Sequence, residues 1–187
     1  PPKSESLEGT CHPYGFVVVR LGQIDGVGEM RLHLWPDERR SRQKPDWPLH
    51  NHPWHVKSFI VAGRLLHAVH TVETLGQGIH QVYQIEYARG ASELKKTRET
   101  ADARLLVREE LVSGTVYELD SKLFHEVDSP AGEFAATIVL AGLNSGMAPH
   151  VLGTKTGEER YLFVREQVPR DVLNAQIIQA LDLMPTA

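Results

Sequence analysis

The chain has 187 residues, 41% hydrophobic and 24% charged, which is the composition of one ordinary globular domain able to bury a core without staples. A net charge of −4 gives a nucleic-acid partner no electrostatic support, and the longest apolar run, residues 135–143, falls far short of the roughly 18–20 residues of a membrane-spanning helix. Nothing at the start reads as a secretory leader, and a single cysteine, Cys11, excludes an internal disulfide and fits a reducing, cytoplasmic setting.

No repeat or low-complexity linker divides the sequence, so one domain over residues 1–187 is expected. Residues 16–21 form a run of β-formers closed by Gly22 and the Asp25-Gly26 turn signal, and 29–35 alternate as a second strand. Residues 36–48 hold three prolines and a mixed-charge cluster between Glu38 and Lys44, a loop with a solvated face. Strands are expected at 56–62, turned at Gly63, then at 65–73 and 81–87. Residues 88–103 are polar and charged and read as a loop or a frayed helical turn. Further strands are expected at 104–112 and 115–119, around Ser113-Gly114, and at 134–141, whose continuous apolar character suits burial on both faces. Residues 160–164 give one more. Helical periodicity occurs only at the end, over about 170–184, where Pro169 and Asp171 mark the start and Leu173, Ile177, Leu181 and Met184 share a stripe. The expected class is therefore all-β, a sandwich or barrel with a C-terminal helix that packs outside or serves a homodimer contact.

Histidine stands out. There are ten, and five of them (His50, His52, His55, His67, His70) fall within 21 residues. On a strand, i and i+2 point to the same face, so His50 and His52, read as strand residues, converge on one point, as a metal requires. Imidazole suits Fe, Cu, Zn and Ni. His125 follows a turn much later in the chain, where an antiparallel neighbour brings it to the same point. The other histidines carry blander readings. His67 and His70, three apart on a strand, face opposite sides. His33, on the preceding strand, can look into the barrel but reads first as a hydrogen-bonded core or surface histidine, and His12, His80 and His150 have no partner visible in sequence. Trp54, Tyr83 and Tyr87 read as strand packing that can also line a pocket. Glu126 is expected to point away from His125.

These residues resemble the two motifs of the cupin superfamily, a double-sheet jelly roll or double-stranded β-helix. His50, His52 and Gly63 match the first motif, and Gly114 and His125 match the second at its spacing, with the motif region spanning about 50–129. Asp120, Lys122 and Ser129 stand where the second motif has proline, glycine and asparagine, and Lys44 stands at the first motif's opening glycine. Where the family's first motif has a glutamate ligand, the count falls on Val56 or Lys57. A lysine facing a divalent ion suffers desolvation and like-charge repulsion, so Val56 is expected inward and Lys57 outward. His55 beside that slot is the candidate fourth ligand or pocket residue.

Three histidines without a carboxylate are similar to the iron sites of the thiol dioxygenases within this superfamily. The resemblance implies a mononuclear Fe(II) oxygenase, with Zn, Ni or Mn as alternative ions, taking a small polar substrate and O2. It also asks for an arginine to capture a substrate carboxylate, and Arg31 and Arg64 are the candidates by position. Thr137, Val139 and Ala141 stand where the cysteine-type enzymes often carry a Ser-x-His-x-Tyr run, and Cys11 lies far from the place of their thioether-forming cysteine. The superfamily's isomerases and epimerases, and its non-catalytic small-molecule-binding members, are the alternative functions.

Overall fold

The structure is a computed structural model that describes residues 7–37, 42–88 and 90–185. The mixed-charge cluster of the 36–48 segment lies partly outside them, at positions 38–41. The described residues form two antiparallel sheets and one helix, as the all-β expectation required. The first sheet contains β1 (Gly9–Cys11), β2 (Val17–Ile24), β3 (Gly28–Trp35), β4 (Val56–Ala62), β8 (Val116–Leu119) and β10 (Ala135–Gly142), in the order β1-β2-β3-β10-β4-β8. The second contains β5 (Arg64–Leu75), β6 (His80–Ala88), β7 (Ala91–Val112), β9 (Phe124–Asp128), β11 (His150–Gly153) and β12 (Arg160–Val164). Its order is β11-β6-β7-β5-β9, with β12 paired to β7. The chain ends in α1 (Arg170–Asp182). No helix among the described residues is long and apolar enough to cross a membrane.

The part of the first sheet that α1 covers is buried on both faces, and its sequence shows why. Side chains alternate along a strand. Val17 and Val19, Leu32 and Leu34, and Ala136 point to one side and form a single cluster with Leu173 and Ala180 of α1. Phe16, Val18, Trp35, Ile60 and Ala135 point to the other and meet Leu65 and Leu111 of the second sheet. Such a sheet needs β-formers at consecutive positions, which Val17-Val18-Val19 supplies. The continuous apolar strand β10 accordingly sits between β3 and β4. Gly63 makes the tight turn from β4 to β5 with φ +71°, where a Cβ would run into the Phe134 carbonyl oxygen.

Three expectations need correction. Residues 88–103 are not a loop or helical turn; 91–103 belong to β7, which runs unbroken for 22 residues. That end of β7 is flanked on both edges, by β6 and by β12. Its charges pair across strands, Lys95 with Glu86 at 2.5 Å and Arg160 with Glu93 at 2.8 Å. Ladder hydrogen bonds and cross-strand pairs thus override a polar composition. The helix stripe also differs. Leu173 and Ala180 are buried with Ile177 packed beside them, whereas Leu181 is 61% and Met184 43% exposed. The small Ala180 lets the helix lie close on the sheet. Last, His50 and His52 do not sit on a regular strand. They occupy an extended segment in which only His50 forms bridges, to His125 and to Val151.

Candidate metal centre

The His50–His52 segment lies between the two edge strands of the second sheet. The His50 amide donates to the His125 carbonyl at 3.1 Å and the His125 amide returns a bond to the His50 carbonyl at 2.7 Å, tying it to β9. On the other side the Asn51 amide donates to His150 O at 3.1 Å and the Leu152 amide to Leu49 O at 2.9 Å, tying it to β11. Asn51 completes the clamp. It is 2% exposed; its Oδ1 accepts the His150 amide at 2.6 Å and its Nδ2 donates to Ser121 O at 3.3 Å. Pro48 and Pro53 flank the segment, so fixed φ angles hold its ends.

This clamp brings the three expected histidines together. The candidate ligand atoms of His50, His52 and His125 all lie within 4.8 Å of one another. Ring centroids are separated by 4.8 Å (His50–His52), 4.6 Å (His50–His125) and 5.0 Å (His52–His125). The Nε2 atoms of His52 and His125 are 3.0 Å apart. Metal–imidazole bonds of about 2.0–2.1 Å place neighbouring ligand nitrogens roughly 3 Å apart, so this spacing suits a shared cation. His50 is oriented for the same task. Its Nδ1 stands 2.7 Å from the Pro48 carbonyl oxygen; a carbonyl only accepts, so Nδ1 carries the proton and Nε2 keeps its lone pair. The donor set fits a divalent ion that favours nitrogen.

The electrostatics agree. Burial lowers the His50 imidazole from 6.5 to about 4, against a smaller upward pull from the Pro48 hydrogen bond. Burial, then repulsion from His50, also holds His52 and His125 well below the usual histidine range. All three are neutral at pH 7, which is the ligand form.

The cluster stands in the wall of a cavity of about 1120 Å³ between the two sheets. Val56 faces it and is 5% exposed, while Lys57 turns outward to an ion pair with Glu118 at 2.9 Å, as expected. Arg31 also lines the cavity, with its guanidinium carbon 4.9 Å above the Trp54 ring and its Nε 2.5 Å from Glu29. Trp54 in turn stacks on His52 at 5.8 Å.

His55 and Arg64 are elsewhere. His55 is 52% exposed in its side chain and its Nε2 lies 3.2 Å from Glu118. Alternation explains this: Val56 takes the inward position, so both its neighbours face out. Arg64 sits on the surface beside the β4–β5 turn, bonded to Glu110 at 3.0 Å and Glu133 at 2.5 Å, and does not line the cavity. These two carboxylates push its pKa up. Tyr83 packs on Trp47 and Tyr161 instead of lining the cavity, whereas Trp54 and Tyr87 do line it.

Sequence reasoning missed several lining residues. His33 is no satisfied core histidine: its Nε2 has no hydrogen-bond partner, and burial lowers it to about 3. The Trp35 Nε1 donor beside it is likewise buried without a partner. His12 stacks on Phe16 at 4.1 Å, and burial holds it well below the usual range. Arg165, just after β12, reaches the cavity over the Tyr87 ring at 5.8 Å and makes no ion pair among the described residues. The histidine count was the one available signal for His12 and His33. Nothing local marks Arg165, which β12 delivers from a distant part of the chain. In comparisons with known proteins, no family model and no curated protein matches this chain.

Proposed function

We propose that the chain is a cupin-type jelly roll holding one mononuclear metal ion, and that it is a non-haem Fe(II) oxygenase of the thiol dioxygenase type. The observation that carries the reading is the trio of neutral imidazoles in the wall of a large cavity, with no carboxylate in the ligand group. A closed structural site takes four protein ligands; three leave positions for substrate, water or O2. When bound there, Fe(II) supplies the redox chemistry that couples a small substrate to O2.

The chain's own residues support one class of substrate. His50, His52 and His125 hold the ion. Arg31, already ion-paired with Glu29, and Arg165, with no ion pair among the described residues, line the same cavity, so Arg165 supplies the uncompensated charge that orients an anionic end of the substrate. Phe16, Trp35 and Trp54 line the walls between and restrict water. His33 Nε2 and Trp35 Nε1 offer buried polar atoms with no protein partner, and a bound polar molecule satisfies them. Such chemistry belongs in the cytoplasm, where thiols are kept reduced.

The test is anaerobic loading of the metal-free protein with Fe(II), then oxygen-electrode measurement over a panel of small thiols bearing a carboxylate or an amine. Stoichiometric O2 consumption with at least one thiol is the expected result. Iron binding with no uptake against the whole panel removes the oxygenase reading. Stoichiometric zinc in protein purified without a histidine tag favours hydrolase, isomerase or structural roles instead.

A further inference from the structure

Behind His125 stands a second buried imidazole, His67, 2% exposed. His67 is directly opposite Glu109 across β5–β7, and Val69, two residues on, is directly opposite His125 across β5–β9. Side chains alternate along each strand, so Glu109, His67 and His125 share one face of three neighbouring strands. The contacts are continuous. His125 Nδ1 lies 3.4 Å from His67 Nε2, and His67 Nδ1 lies 3.2 Å from Glu109 Oε1. The Tyr117 ring, 4.7 Å away, packs against the His67 ring.

Proton placement follows from what each group can do. An ionised carboxylate only accepts, so the His67 nitrogen facing Glu109 carries the proton. Its Nε2 is then an acceptor, and His125 Nδ1 must be the donor. That leaves His125 Nε2, the atom 3.0 Å from His52 Nε2, with its lone pair directed at the candidate metal position. His50 obtains the same orientation from the Pro48 carbonyl.

We infer that His67 and Glu109 are positioning residues: the chain Glu109–His67–His125 selects the one His125 tautomer that can bind a metal and locks its ring. The affinity arm of the test rests on the metal reading above; the tautomer arm does not. In the metal-free full-length protein, nitrogen-15 NMR of the histidine rings is expected to show His125 protonated at Nδ1. His125 protonated at Nε2 overturns the inference, even if the protein binds no metal at all. Chelator competition with Co(II) then measures affinity. His67→Phe, which keeps a planar ring but removes the acceptor, is expected to weaken Co(II) binding about 10–100-fold. His67→Gln, whose amide oxygen can accept the same proton, is expected to restore most of that loss. An affinity for His67→Phe within twofold of the unaltered protein, in a variant that melts normally without metal, also overturns it. A protein that binds neither Co(II) nor Fe(II) defeats the proposed function, while the tautomer measurement still decides the role of His67.

Discussion

The two faces of the first sheet are built from the same strands and differ in kind. On the helix side Val17, Val19, Leu32, Leu34 and Ala136 meet Leu173 and Ala180 in an apolar cluster, and the buried polar atom on that helix face without a partner is Gln176 Oε1. On the cavity side the alternate residues of the same strands include Arg31, His33 and Trp35, which line the cavity, and Thr137, which does not; the last three leave buried polar atoms without partners. The first face maximises burial. The second leaves more polar atoms buried without partners and turns charged and aromatic groups to the cavity. Stability and recognition are thus separated by the period-2 alternation of a strand, and a substitution should report which side it struck.

The largest expected effect is on the helix side. Leu173→Ala removes a side chain that is 1% exposed, and should cost about 2–5 kcal/mol of stability in urea unfolding, with Co(II) affinity unchanged. Impaired metal binding in a still-folded Leu173→Ala protein would break the separation. On the cavity side, His52→Ala should weaken metal binding by at least about 100-fold, beyond the range for an outer partner, and abolish oxygen uptake. A smaller change means that His52 is no ligand.

Acid sharpens the contrast next. His50 has a folded pKa of about 4, lowered from 6.5 by burial. The folded state therefore binds fewer protons than the unfolded chain below 6.5. The stability this neutral histidine contributes is present above that value and lost as pH falls from 6.5 towards 4. The metal-free protein should lose about 1.4 kcal/mol per pH unit from His50 alone in that window. His33, with a folded pKa of about 3, acts in the same direction. Urea titrations at pH 7, 6 and 5 that show no decline would mean the cluster is hydrated. The smallest effects belong to the surface. His55→Ala and Arg64→Ala should leave metal affinity and turnover within about twofold and the urea midpoint nearly unchanged, since exposed ion pairs contribute little. A large loss of turnover in either would return that residue to the site.

Much of this was legible in the residues. The strands with clear alternation or continuous apolar runs, β2 to β6, β8, β10 and β12, were expected close to where they occur, and so was α1. The short strands β1, β9 and β11, of 3–5 residues, were not, although β8 and β12 are no longer than these. The charged first half of β7 was misread because its order comes from two neighbouring strands and not from its own composition. For the site, His50, His52 and His125 were legible from their spacing. Asn51, His67 and Arg165 were not, since each acquires its neighbours through pairings remote in sequence; His12 and His33 were not, since their rings pack on aromatic residues without any spacing that marks a site.

By itself, the sequence determined the chemistry on offer: many imidazoles, alternating strands, one amphipathic tail and no glutamate at the slot after His52. Only the tertiary structure decided which imidazoles meet. That choice rests on two main-chain ties, His50 to β9 and Asn51 to β11, together with the β5–β9 register that sets His67 behind His125. A one-residue slip in that register would turn His125 away from the cavity, because successive side chains on a strand face opposite sides.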